Sequence, residues 1–161
     1  MLEEAVMRSF VDLFRNVCFW AAAFSWLIAQ FTKMLCGFYR TRRLDFSYLV
    51  STGGMPSAHS ALVSGLAVAV GLSCGFNSPV SIVAMAFALI TMFDASTVRR
   101  AAGLQARLLN QIIDELFKEH HLSETKLKEL LGHTRIEVFM GMIVGILTAL
   151  LVISIPVLLG E

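Results

Sequence analysis

Four apolar runs constrain this chain more than anything else in it. They lie at residues 17–35, 57–75, 79–98 and 135–159. A helix rises about 1.5 Å per residue, so runs of this length suit a hydrocarbon layer roughly 30 Å thick. Charged residues make up only 16% of the chain and the mean hydropathy is +0.72, whereas soluble domains carry about 25% charged residues. The expected fold is therefore all-α: a polytopic membrane helical bundle of about four spans, with an extra helical insertion over 99–132, in a single domain covering 1–161. A soluble enzyme and a nucleic-acid binder are both excluded.

Within the runs, small residues recur at helical spacing. Ser57, Ala61, Gly65 and Ala69 form one stripe, and Gly141 and Gly145 form a second. Such stripes let helix backbones approach closely in lipid. They permit a homodimer without requiring one. Residues 1–16 read as an amphipathic segment with Leu2, Val6, Phe10, Leu13 and Phe14 on one side, and no cleaved leader is expected. The insertion reads as an amphipathic helix from Arg99 to Lys118, with Leu104, Leu108, Ile112 and Leu116 on one face, and a shorter helix near 124–131 capped at Ser123. Both are expected at the membrane surface or interface. Cys18, Cys36 and Cys74 have no metal-type spacing and are read as packing residues.

Charge is distributed unevenly along this topology. With four spans, the connections 36–56 and 99–134 share one face. That face carries eleven of the thirteen Lys and Arg residues, and only Arg8 and Arg15 fall on the other. Basic residues in short loops mark the cytoplasmic side, so the polar face is expected to be cytoplasmic.

The same face gathers the residues with chemical potential. Gly53-Gly54-Met55-Pro56-Ser57-Ala58-His59-Ser60 joins a glycine turn to a helix start. Read as helix from Ser57, with Pro56 suited to the first turn, it sets Ser57, His59 and Ser60 where unpaired N–H groups favour an anion. Lys33 and Arg40 bracket the end of the first run, either as phosphate-binding cations or as snorkelling anchors. His133 and Glu137 are four apart at the start of the last run, so they share a helix face that Gly141 and Gly145 continue. That face should point into the bundle, where an imidazole–carboxylate pair is functional by default, with a structural polar pair as the alternative. Asp94 at the end of the third run could pair with a neighbouring cation or with a metal.

Lys33-x6-Arg40, Pro56-Ser57-x-His59 and His133-x3-Glu137 together resemble the three motifs of the phosphatidic acid phosphatase type 2 superfamily, which includes the vanadium haloperoxidases. Asp94-Ala95, Val98-Arg99-Arg100-Ala101-Ala102-Gly103-x-Gln105-Ala106 and Leu109-Asn110 resemble signatures of its divergent branch of small membrane proteins. The resemblance covers roughly residues 28–150. It implies a phosphatase that acts on a lipid or prenyl phosphate without a cofactor or metal. His133 would be the nucleophile oriented by Glu137, and His59 the general acid. Lys33, Arg40 and Ser57 would hold the phosphate oxygens, with Asn110 a further candidate.

The chain departs from the superfamily pattern at several positions. Thr41 stands for the usual Pro, Ala58 for Gly, Glu137 for Asp, and Lys126-Leu127 for the Ser-Arg that precedes the motif histidine. Arg99 or Arg100 could supply the missing charge from another helix. Without it, the site would bind phosphate and not turn it over. The alternative function is then a non-enzymatic membrane protein that binds phospholipid headgroups or a protein partner through the basic pocket. A small transporter or channel subunit is disfavoured, because few inward polar residues occur midway along the runs.

Overall fold

In a computed structural model, the described residues are 11–42, 54–116 and 132–159. They form five principal helices: α1 (Val17–Thr41), α2 (Ala58–Cys74), α3 (Pro79–Ser96), α4 (Val98–Leu116) and α5 (Arg135–Leu159). Residues 1–10 of the expected amphipathic segment 1–16, the short helix near 124–131 and the loop at 43–53 lie outside the described residues.

Local chemistry sets the ends of these helices. The Asn16 side chain accepts a hydrogen bond from the Cys18 N–H and caps α1. At the other end Arg42 adopts φ 55°, and its N–H donates to the Phe38 carbonyl. Ser78 caps α3, with Pro79 in the first turn, where no N–H is needed. Pro56, by contrast, does not open α2. The helix begins at Ala58 with Ser57 as its cap, so Pro56 lies outside the first turn. The Ser57 hydroxyl accepts from the N–H and the Oγ of Ser60, which takes the role the proline was expected to share.

α2 is the central helix, packed against α1, α3 and α5. Three stretches are long and apolar enough to cross a membrane: Val17–Tyr39, Pro79–Ile113 and Arg135–Ile155. α2 has 17 residues, or about 25 Å of helix, which is shorter than the hydrocarbon layer. Its neighbours surround it, so it has less need to match the bilayer. The contacts around it use small residues. Ala21, Ala61, Ala69 and Ala149 are all fully enclosed. A Cβ on Gly145 would overlap the Ala61 carbonyl oxygen and the Ser64 hydroxyl, and one on Gly65 would overlap Ser25. Large side chains point outward instead. Val83, Phe87, Ile90 and Phe93 on α3 are all more than half exposed, as a lipid-facing surface should be.

The third apolar run ends at Ser96 and α4 begins at Val98, within two residues of the expected boundary between the run and the insertion. Thr97 has φ −121° and ψ −73°, away from ordinary helical values, and its N–H is shared between the carbonyls of Phe93 and Asp94. α4 starts immediately after it. Of the other four helices, α4 approaches only α3.

Candidate functional site

The alternation of helix directions brings one end of each helix to the same side of the bundle. That side collects the last turns of α1, the first turn of α2, the α3–α4 junction and the segment 132–137. Three backbone contacts hold these pieces together. The Ser57 N–H donates to the Glu137 carbonyl at 3.0 Å. Gly141 lies so close to Ser57 that a Cβ there would overlap the Ser57 carbonyl oxygen. Gly132 lies against the backbone of Arg99 and Arg100, leaving no room for a Cβ. These contacts set the His133 segment between the start of α2 and the start of α4.

Thr134 and Glu137 fix the entry into α5 as a capping box. The Glu137 N–H donates to Thr134 Oγ1 at 3.3 Å, and the Thr134 N–H donates to Glu137 Oε2 at 2.9 Å. The same carboxylate oxygen lies 3.2 Å from His133 Nδ1. One carboxylate therefore anchors the helix start and orients the imidazole. With Nδ1–H donating to Glu137, the lone pair of the ring is left on Nε2.

His133 is 4% exposed. Burial pushes its imidazole below the ordinary value of 6.5. Glu137 opposes this by hydrogen bond and by charge, and Lys33 and Arg99 reinforce it. The buried ring is therefore held neutral. His59, on the first turn of α2, is exposed and lies within electrostatic reach of Arg99, His133 and Lys33. Lys33 is 3% exposed, its stem passes beside Gly54, and its charge acts on Glu137. Gly54 has φ +93°, a conformation only glycine adopts without strain.

The remaining candidates divide. Arg99 Nε pairs with Asp94 Oδ2 at 3.0 Å across the α3–α4 break, and both side chains are substantially exposed. Of the two partners expected for Asp94, a cation or a metal, the structure has the cation. Arg100 is exposed beside it. Arg40 lies on the last turn of α1, and its side chain is outside the described residues. Asn110 is buried, but it sits about 16 Å along α4 from Arg99, and α4 approaches none of α1, α2 and α5. Among the described residues, no group of three or more His, Cys, Asp or Glu side chains could hold a metal.

The model of the divergent PAP2 family matches residues 14–148. This chain belongs to the divergent PAP2 family. It is 43% identical over 135 residues to "Uncharacterized membrane protein YuiD" of Bacillus subtilis (strain 168), covering 77% of this chain and 85% of that protein. No solved structure matches it. The span of the divergent PAP2 match takes in all the gathered residues, Lys33, Ser57, His59, Asp94, Arg99, His133 and Glu137.

Other contacts of the site depend on how its segments meet. Thr134-x-x-Glu137 is a capping box legible at the sequence level. The seat of Gly132 on Arg99–Arg100 requires the fold. Ser60 and Ser64 form a polar ladder behind Ser57, with Ser64 Oγ donating to the carbonyls of Ser60 and Met142.

Proposed function

We propose that this protein is an integral membrane phosphatase that hydrolyses a lipid or prenyl phosphate through a phosphohistidine intermediate. The observation that carries this reading is the pairing of two unlike histidines at one end of the bundle. His133 is buried, neutral and oriented through Nδ1 by Glu137, and His59 is exposed close by among cations. A neutral, oriented imidazole suits a nucleophile, and an accessible one suits proton exchange with a leaving oxygen.

In the first step, the Nε2 lone pair of His133 attacks phosphorus and the bond to the ester oxygen breaks. That oxygen takes a proton from His59. In the second, water gives a proton to His59 and attacks phosphorus, the phosphorus–nitrogen bond breaks, and phosphate leaves. Lys33, Arg40, Arg99, Arg100 and the Ser57 region would stabilise the equatorial oxygens, the main catalytic task in phosphoryl transfer. A site at the ends of membrane helices favours an amphiphilic substrate.

One observation favours a second reading, a membrane protein that binds a phospholipid headgroup without turnover. Leu127 stands where the superfamily has a phosphate-binding arginine, and Arg99, the candidate replacement, is already paired with Asp94. Acid-quenched labelling with a phosphate-labelled lipid separates the two. The wild type should acquire acid-labile phosphate, His133→Ala none, and His59→Ala should label only from an activated ester whose leaving group needs no proton. A wild type that never labels and hydrolyses none of a panel of lipid and prenyl phosphates would leave the binding reading. Turnover surviving in His133→Ala would remove that residue as nucleophile.

A further inference from the structure

α4 presents an apolar stripe that none of the other described helices covers. Leu104, Leu108 and Ile112 are 54%, 57% and 43% exposed. The opposite side of the helix, at Gly103, Ala106 and Asn110, is the enclosed one. Two features indicate what meets the stripe. First, α4 follows directly on α3, whose Val83, Phe87 and Ile90 face outward, so an exposed apolar helix face lies on each side of the Thr97 break. Second, α4 carries three arginines over its first ten residues, and its two acidic residues, Asp114 and Glu115, come only at its C-terminal end. Arg100 and Arg107 lie seven apart on one flank of the stripe, and both are exposed. The break at Thr97 gives α4 the freedom to leave the direction of α3 at the membrane edge.

We infer that α4 lies along the lipid–water boundary of an anionic leaflet, with Leu104, Leu108 and Ile112 in the outer acyl region and Arg100 and Arg107 on anionic headgroups. An apolar stripe flanked by arginines is the composition of an interfacial helix. Basic residues near an anionic surface add to its seating and lose that effect on a zwitterionic one. The assignment does not depend on catalysis. Its consequence is that the site opens at the headgroup layer, since the N-terminal turn of α4 carries Arg99 and seats Gly132.

The test uses the full-length protein in nanodiscs, with Cys18, Cys36 and Cys74 replaced by Ala. Single cysteines at Leu104, Leu108 and Ile112 receive nitroxide labels, with Phe87 as the lipid reference and Asn77, in the turn before α3, as the water reference. In phosphatidylglycerol, the three α4 labels should collide more with oxygen than with a water-soluble nickel chelate, as Phe87 does. Adding Arg100→Gln and Arg107→Gln should shift them toward the Asn77 behaviour, by about fivefold in seated population per arginine, equivalent to ~1 kcal/mol each. In phosphatidylcholine the same pair of changes should have little effect. Nickel-dominated collision at all three positions would overturn the inference. So would protection from both reagents with dipolar broadening between labels, which would mean that a second copy covers the stripe. Equal behaviour in the two lipids would overturn the anionic assignment.

Discussion

Replacing Gly141 by Ala tests whether the contact between α5 and the start of α2 sets the chemistry. The added Cβ would overlap the Ser57 carbonyl oxygen and meet Ser60 Cβ at 3.0 Å. Backbone cannot rotate away as a side chain can, so α5 must move outward by roughly 1 Å to restore ordinary contact. Overpacking of this kind costs about 1–3 kcal/mol. The bond from the Ser57 N–H to the Glu137 carbonyl is 3.0 Å long, and the same shift would carry it beyond hydrogen-bonding range. Glu137 and His133 would move with it, and a misplacement near 1 Å can cost about 10²-fold in rate. Gly145→Ala supplies the comparison. Its Cβ would overlap the Ala61 carbonyl oxygen, but one turn deeper, away from Ser57. Both variants should lose similar stability in thermal unfolding in detergent. Single-turnover phosphohistidine formation should fall about 10²-fold in Gly141→Ala and less than about tenfold in Gly145→Ala. Equal rates in the two variants, whatever their stabilities, would refute the claim that this contact positions the nucleophile.

Three further outcomes follow from the same geometry. His133 is held neutral with its pKa below 6.5, so phosphohistidine formation should persist as pH falls through 6.5 and decline only at lower pH. The sign for stability is the same: the unfolded imidazole binds protons from 6.5 downward and the folded one does not, so stability contributed by the neutral ring is lost below 6.5; an acid limb centred above 6.5 would contradict this. Asp94→Asn should change stability by less than about 1 kcal/mol, because its pair with Arg99 is exposed, while tightening vanadate binding severalfold; Arg99→Gln should weaken it, and unchanged vanadate affinity in both would remove Arg99 from the site. Cysteines at Gln105 and Asn77, in a cysteine-free background, should label from opposite sides with an impermeant reagent, Gln105 from the cytoplasm; labelling of Gln105→Cys from outside intact cells would reverse the proposed orientation.

Class, the places of the four apolar helices and the pairing of His133 with Glu137 were legible in the sequence because each depends on local spacing. An apolar run has a length, a small-residue stripe has a period, and two side chains four apart on a helix meet regardless of what surrounds them. The stripes at Ser57–Ala69 and Gly141–Gly145 also implied close helix contact, since a missing side chain is itself the space into which a backbone fits. Other features depended on residues distant in the chain. The bond from the Ser57 N–H to the Glu137 carbonyl, and the enclosed position of α2 among three helices, join segments far apart in the chain. The seat of Gly132 on Arg99–Arg100 brings together residues more than thirty apart, and it sets the Asp94–Arg99 pair beside the histidines. Asn110 shares a sequence signature with those residues but lies about 16 Å along α4 from Arg99. Sequence specifies which groups a helix presents and with what period; which groups from different helices meet is decided by packing, where a single backbone contact depends on the whole bundle.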